Sequence, residues 1–107
     1  MILVNFAALS VFDVFNPEGS AVIGTDATLI CFVGSPNLPL TIGNWKTPDG
    51  NTIPFGTSDN KYDASLLELS GATLKIFNVN QGDAGIYSCE VELLSLKASG
   101  TVNLIVN

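Results

Sequence analysis

At 107 residues the chain suits one domain, and a make-up of 47% hydrophobic against 13% charged residues can build a core but leaves little charge to coat it. Ten acids, four lysines, no arginine and no histidine give a formal charge of -6, which argues against nucleic acid or an anionic membrane surface as partner, since both call for a basic face. The missing histidine and arginine also exclude histidine-based catalytic triads, histidine-ligated metals and arginine phosphate clamps, so no enzyme activity and no cofactor are expected.

Residues 1–8 form an apolar extension containing Ile2, Leu3, Val4 and Phe6. It lacks a basic leading region and is interrupted by Asn5, so it reads as an additional edge segment rather than a secretory signal. Residues 9–107 read as the domain. No run approaches the roughly 18 apolar residues of a membrane helix, so no membrane insertion is expected. Residues 9–16 carry the strand formers Val11, Phe12, Val14 and Phe15; Pro17-Glu18-Gly19 then turns the chain into the short apolar run Ala21-Val22-Ile23. A proline so placed fits an edge strand, where a missing donor breaks no central ladder.

Alternation over residues 27–33 puts Ala27, Leu29, Cys31 and Val33 inside and Thr28, Ile30 and Phe32 outside. An outward Phe32 is out of place on a solvated face. Two prolines and a glycine make residues 34–40 a loop, and a strand follows around Trp45. There the pattern slips, because the inward position two before Trp45 is Gly43; a bulge at this glycine is expected to return Ile42 to the core. Pro48-Asp49-Gly50-Asn51 is a tight turn into a brief strand at Thr52-Ile53. Lys61 opens the next strand. Residues 72–78 should bury Leu74 and Ile76 and turn Thr73, Lys75 and Phe77 outward. In residues 85–93, Tyr87, Cys89, Val91 and Leu93 point inward and Ser88, Glu90 and Glu92 outward, the pattern of a strand wetted on one face. Residues 94–98 offer no turn-forming glycine, asparagine or proline, so Leu94 and Leu96 are expected at the tip of a wider connection. The last strand, 99–106, closes through Val102, Leu104 and Val106.

Cys31 and Cys89 with Trp45 between them, and the run Asp83-Ala84-Gly85-Ile86-Tyr87-Ser88-Cys89, resemble the immunoglobulin superfamily. Residues 73–80 leading into that run, Asn44-Trp45 with Pro48-Asp49-Gly50, and Thr101-Val102-Asn103-Leu104 are similar to the intermediate set, and most like the first domain of neural cell adhesion molecules. The resemblance implies an all-β, two-sheet Greek-key sandwich with one inter-sheet disulfide, Cys31 to Cys89, against which Trp45 packs. It implies a tyrosine corner in which the Tyr87 hydroxyl meets backbone near Asp83, with Gly85 part of the same signature. It also implies an ion pair between Lys61 and Asp83, at a place where the family often has arginine. Only fifteen residues separate Trp45 from Lys61, room for one short strand.

As for function, the resemblance implies a module that recognises protein, either itself or another immunoglobulin-like domain, in an extracellular or cell-surface setting; paired cysteines agree with an oxidising compartment. Phe32, Phe77, Leu94, Leu96, Ile2 and Val4 are the candidate contact residues, and a homodimer is expected from apolar side chains that so few charges cannot cover. Missing arginine, a missing secretory segment and apolar residues at usually polar positions point to a sequence engineered on an adhesion scaffold with no evolved partner. The alternative is a natural extracellular module mediating homophilic or heterophilic cell adhesion. An intracellular domain of the muscle-filament kind would keep the fold without an oxidised pair. Asp59, Asp63 and Glu68 resemble no defined coordination loop, so no metal is expected. Ten asparagines include no glycosylation sequon.

Overall fold

Side chains that alternate in polarity along extended backbone can all be satisfied when two sheets face each other and share the apolar sides. The computed structural model, which describes residues 10–34, 42–67, 71–93 and 96–107, has this form. The strands are β1 (Ser10–Phe15), β2 (Ala27–Gly34), β3 (Ile42–Lys46), β4 (Thr52–Pro54), β5 (Tyr62–Leu67), β6 (Gly71–Ile76), β7 (Gly85–Leu93) and β8 (Leu96–Leu104), with one 3-10 turn at Gln81–Asp83. They form two four-stranded sheets, ordered β1-β2-β6-β5 and β4-β3-β7-β8, and every ladder within them is antiparallel. The chain changes sheet between β2 and β3, between β4 and β5 and between β6 and β7, which is the expected Greek-key sandwich. Only β4 lies between β3 and β5, as the short spacing from Trp45 to Lys61 requires.

The core sits where the inward faces meet. Leu29, Cys31, Trp45, Leu74, Ile76 and Cys89 have no exposed surface, and Tyr87, Val79 and Leu104 have almost none. Cys31 and Cys89 are disulfide-bonded between the sheets, their Cα atoms 6.4 Å apart. Trp45 stands directly opposite Cys89 on the β3–β7 ladder, and both are fully buried.

The strand around Trp45 departs from the sequence expectation. Its register with β7 runs without a break from Ile42 opposite Glu92 to Lys46 opposite Ser88, so no bulge returns Ile42 to the core, and Ile42 is 56% exposed. Phe55 explains the glycine instead. Its ring lies so close to Gly43 that a Cβ there would overlap it and the Glu90 carbonyl, and the ring packs against the core. An aromatic ring from beyond β4 fills the inward position that β3 leaves empty. The β-bulge that does occur lies in β1, between Val11 and Asp13. The β7–β8 ladder continues to Leu93 opposite Leu96, so Leu96 opens a strand rather than standing at a loop tip. Leu94 lies outside the described residues, as do Ile2 and Val4.

Candidate functional site

The corner before β7 is held by three groups. The Tyr87 hydroxyl donates to the Asp83 carbonyl at 2.7 Å, and burial pushes this phenol well above the ordinary tyrosine range. Asp83 Oδ2 accepts from the Asn80 amide at 2.9 Å and from Lys61 Nζ at 2.7 Å. The same ammonium donates to the Phe77 carbonyl at 3.1 Å and to the Asn78 carbonyl at 3.4 Å, so one cation ties the start of β5 to the end of β6 and to the corner. Lysine spends its three hydrogens on separate acceptors here, where a guanidinium would address both carboxylate oxygens. Gly85 has φ +133°, and a Cβ would come within 2.9 Å of Pro48, so a side chain at this position would wedge the corner open. Together these residues hold the corner itself.

The outward faces of the two sheets differ in chemistry. On the β1-β2-β6-β5 sheet, Phe32 is opposite Asp13 on one side and Gly71 on the other, and Phe15 is opposite Ile30. The Phe15 and Phe32 rings have centroids 5.5 Å apart, tilted by 52°, an arrangement favourable to aromatic pairs. Leu67, opposite Gly71, extends the row. Gly71 carries no side chain, so the apolar half of this face is Phe15, Ile30, Phe32 and Leu67, with Phe32 40% exposed. Its other end is charged. Lys75 reaches Asp26 at 4.0 Å and stands opposite Asp63.

Phe77 does not join the aromatic pair. It follows β6 at the end where Ile76 faces Ala27, whereas Phe32 faces Gly71 at the opposite end, roughly 20 Å away at the usual rise of a strand. Its half-buried ring lies under Lys75 Nζ, 5.4 Å from the centroid. A single patch built on Phe32 and Phe77 is therefore replaced by one built on Phe32 and Phe15. The sequence reading missed Phe15 as a surface residue because the register of β1 on β2, shifted by its bulge, was not visible in the chain.

The outer face of the β4-β3-β7-β8 sheet is polar at one end and aliphatic at the other. Glu90 accepts from Asn44 Nδ2 at 3.1 Å and lies 4.0 Å from Lys46 Nζ. Ile42, Asn44, Glu90, Glu92, Lys97 and Ser99 line an open cleft of about 500 Å³. Farther along, Ile86 and Ile105 are 55% and 49% exposed, and Ile105 lies two residues beyond Asn103, the ladder partner of Ile86. Alternation from Tyr87 and Leu104 already assigns both to the outer face, so the missed signal was the parity of these two positions. Among the described residues no group of acidic or sulfur side chains could hold a metal ion, and no helix is long and apolar enough to cross a membrane.

This sandwich, stapled between sheets beside a buried tryptophan and closed by a tyrosine corner, matches the family model described as Immunoglobulin domain over residues 17–99. The chain belongs to the immunoglobulin domain family. Over 92 residues this immunoglobulin domain is 39% identical to neural cell adhesion molecule L1.1 of Danio rerio; the match takes in 82% of the chain and 7% of that protein's length. A solved structure of Down syndrome cell adhesion molecule, comprising its N-terminal eight immunoglobulin domains, superposes with a TM-score of 0.73 at 29% identity, covering 92% of this chain and 12% of the other. The titin domain M4 superposes at 0.75 with 18% identity, covering 94% and 96%, which speaks to the fold alone.

Proposed function

We propose that this immunoglobulin domain is an extracellular, protein-binding module of the cell-adhesion kind, without catalytic activity, and that it contacts its partner through the Phe15–Phe32 face. The observation that carries this reading is the Phe15–Phe32 ring pair, with Phe32 exposed, on the outward side of a sheet whose inward side already supplies the core. Aromatic side chains supply large contact area for little conformational entropy, and they are enriched where proteins meet. The 39% identity to an adhesion molecule supports the class of partner, another protein at a cell surface or a copy of the same chain. The oxidised Cys31–Cys89 pair supports an extracellular setting over the muscle-filament alternative.

The engineered-scaffold reading retains one favourable observation, the complete absence of arginine and histidine. One experiment separates the two. The purified domain is displayed as a multimer against a panel of cell-surface ectodomains, with Phe32→Ser and Ile86→Ser displayed in parallel. An evolved adhesion module gives a specific binder that Phe32→Ser loses and Ile86→Ser keeps. A chain with no evolved partner binds none of the panel, and a binder indifferent to Phe32→Ser moves the contact to another face.

A further inference from the structure

On the β7–β8 ladder Ile86 is opposite Asn103, Ser88 opposite Thr101, Glu90 opposite Ser99 and Glu92 opposite Lys97. Tyr87, Cys89, Val91 and Leu104 are buried on the other side, so these pairs all belong to the outer face of the sheet. Ile105 stands one step beyond the last pair, Gly85 and Leu104, which makes it the diagonal neighbour of Ile86, within side-chain reach. Ala21 bridges Val106 in parallel, and both are buried, so exposed Val22 stands beside Ile105 on the same outer face. This aliphatic group ends the ladder opposite to Leu93 and Leu96, roughly 23 Å from Leu93 at the usual rise of a strand.

The same face is electrically balanced. Along its ladders it carries Lys46 and Lys97 against Glu90 and Glu92, a net charge of zero within a chain of -6. Two copies that repel at long range can therefore meet here without opposing like charge. A two-fold axis parallel to the strands, between β7 and β8, would lay β7 of each copy on β8 of the other. Ile86 then falls on Asn103 of the second copy, beside that copy's Ile105. Because Ile86 and Ile105 occupy opposite corners of a two-by-two block, the isoleucines of the two copies interleave instead of colliding. Ser88 falls on Thr101 of the second copy and Glu92 on its Lys97, so opposite charges face each other at the rim. Sheets stacked in this way lie about 10 Å apart with their strands aligned to within about 30°.

We propose that this face is a homophilic contact: two copies stack the outer sides of their β4-β3-β7-β8 sheets about that axis, with Ile86 and Ile105 as the apolar core. The contact is isologous and closes on itself, so it makes a dimer and no fibre. The ladder is about 30 Å long and, with β3 beside it, about 15 Å wide, on the order of 500 Å² for each copy. That area belongs to the small class of specific interface and to a transient dimer. The Glu92–Lys97 pairs set register more than strength, since exposed ion pairs are worth little and like charges across a contact are costly. Both Phe15–Phe32 faces point away from the contact, so this inference and the proposed partner-binding face fail independently.

The test is sedimentation equilibrium over about a hundredfold concentration range, reaching about 1 mM, combined with amide NMR spectra over the same range. The wild type is expected to dimerise, with the signals of Ile86, Ser88, Thr101, Asn103 and Ile105 shifting as concentration rises while those of Phe15 and Phe32 stay in place. Ile86→Ser with Ile105→Ser changes only half-exposed side chains, so this variant should fold normally and its dimer should weaken at least about tenfold. Lys97→Glu and Glu92→Lys, each alone, should weaken the dimer roughly threefold or more, and mixing the two variants should restore it. Phe32→Ser should leave it unchanged. A wild type still monomeric at about 1 mM, a dimer that survives the double isoleucine change, charge variants that fail to complement each other, or a dimer lost with Phe32→Ser would each overturn the proposal.

Discussion

Tyr87 shows how one atom can be separated from the ring that carries it. The ring is core and the hydroxyl is a corner bolt, so Tyr87→Phe keeps the packing and leaves the Asp83 carbonyl without its donor. The expected loss is about 1 to 1.5 kcal/mol, read from chemical denaturation. The same phenol gives a pH dependence whose sign is fixed. Burial raises its folded pKa above the unfolded value of about 10, so the bond's contribution is complete below that pH and declines as pH rises toward the folded value. Above pH ~10, wild-type stability should therefore fall more steeply than that of Tyr87→Phe, which a series of melts at alkaline pH checks. Tyr62, also raised by burial, remains in both proteins and cancels in the comparison. The phenol was legible in the chain as a tyrosine two before a cysteine, whereas the pairing of Lys61 with Asp83, 22 residues apart, was expected only from the family resemblance. That Lys61 also serves the Phe77 carbonyl was not legible, since only packing brings β5 and the end of β6 to the same ammonium.

At the scale of elements, the two sheets are coupled by one covalent bond and by one borrowed ring. Replacing both Cys31 and Cys89 by alanine releases a loop of 58 residues and should cost about 4 kcal/mol in the chain-entropy description, measured as a fall in denaturation midpoint. An unchanged midpoint would mean that the sheets need no staple. Gly43→Val tests the ring: it should destabilise by about 1 to 3 kcal/mol, because the new side chain must displace Phe55 from the space beside β3. Adding Phe55→Ala should recover part of that loss, whereas strictly additive effects would argue against a shared space. The sequence suggested a bulge here because a glycine at an inward position has two explanations, an inserted residue or a neighbour's ring, and only the tertiary fold chooses between them.

For the whole molecule, sparse charge decides how the surface behaves. With a net charge of -6, two copies of the domain repel each other at long range. Self-association through an apolar face should therefore tighten as salt rises from a few millimolar to physiological strength, because the salt screens that repulsion. Sedimentation at several salt concentrations checks this, and association that weakens with salt would place charged residues in the contact. Composition implied that some apolar side chains face outward, but could not place them. Phe32 was found by alternation, yet its companion is Phe15 through the bulged register of β1, and Phe77 lies at the other end of the sheet beneath Lys75.

The sequence by itself determined the strand-rich pattern, the inward faces of β2, β6 and β7, and, through its likeness to a known family, the disulfide, the tryptophan beside it and the tyrosine corner. These features are readable because period-two alternation and fixed short spacings are local properties of the chain. Tertiary structure alone decided that Phe55 fills the space beside Gly43 and that Phe15 rather than Phe77 accompanies Phe32. Each depends on register and on which strands end a sheet. Both are set by contacts between residues far apart in sequence, and no local pattern encodes them.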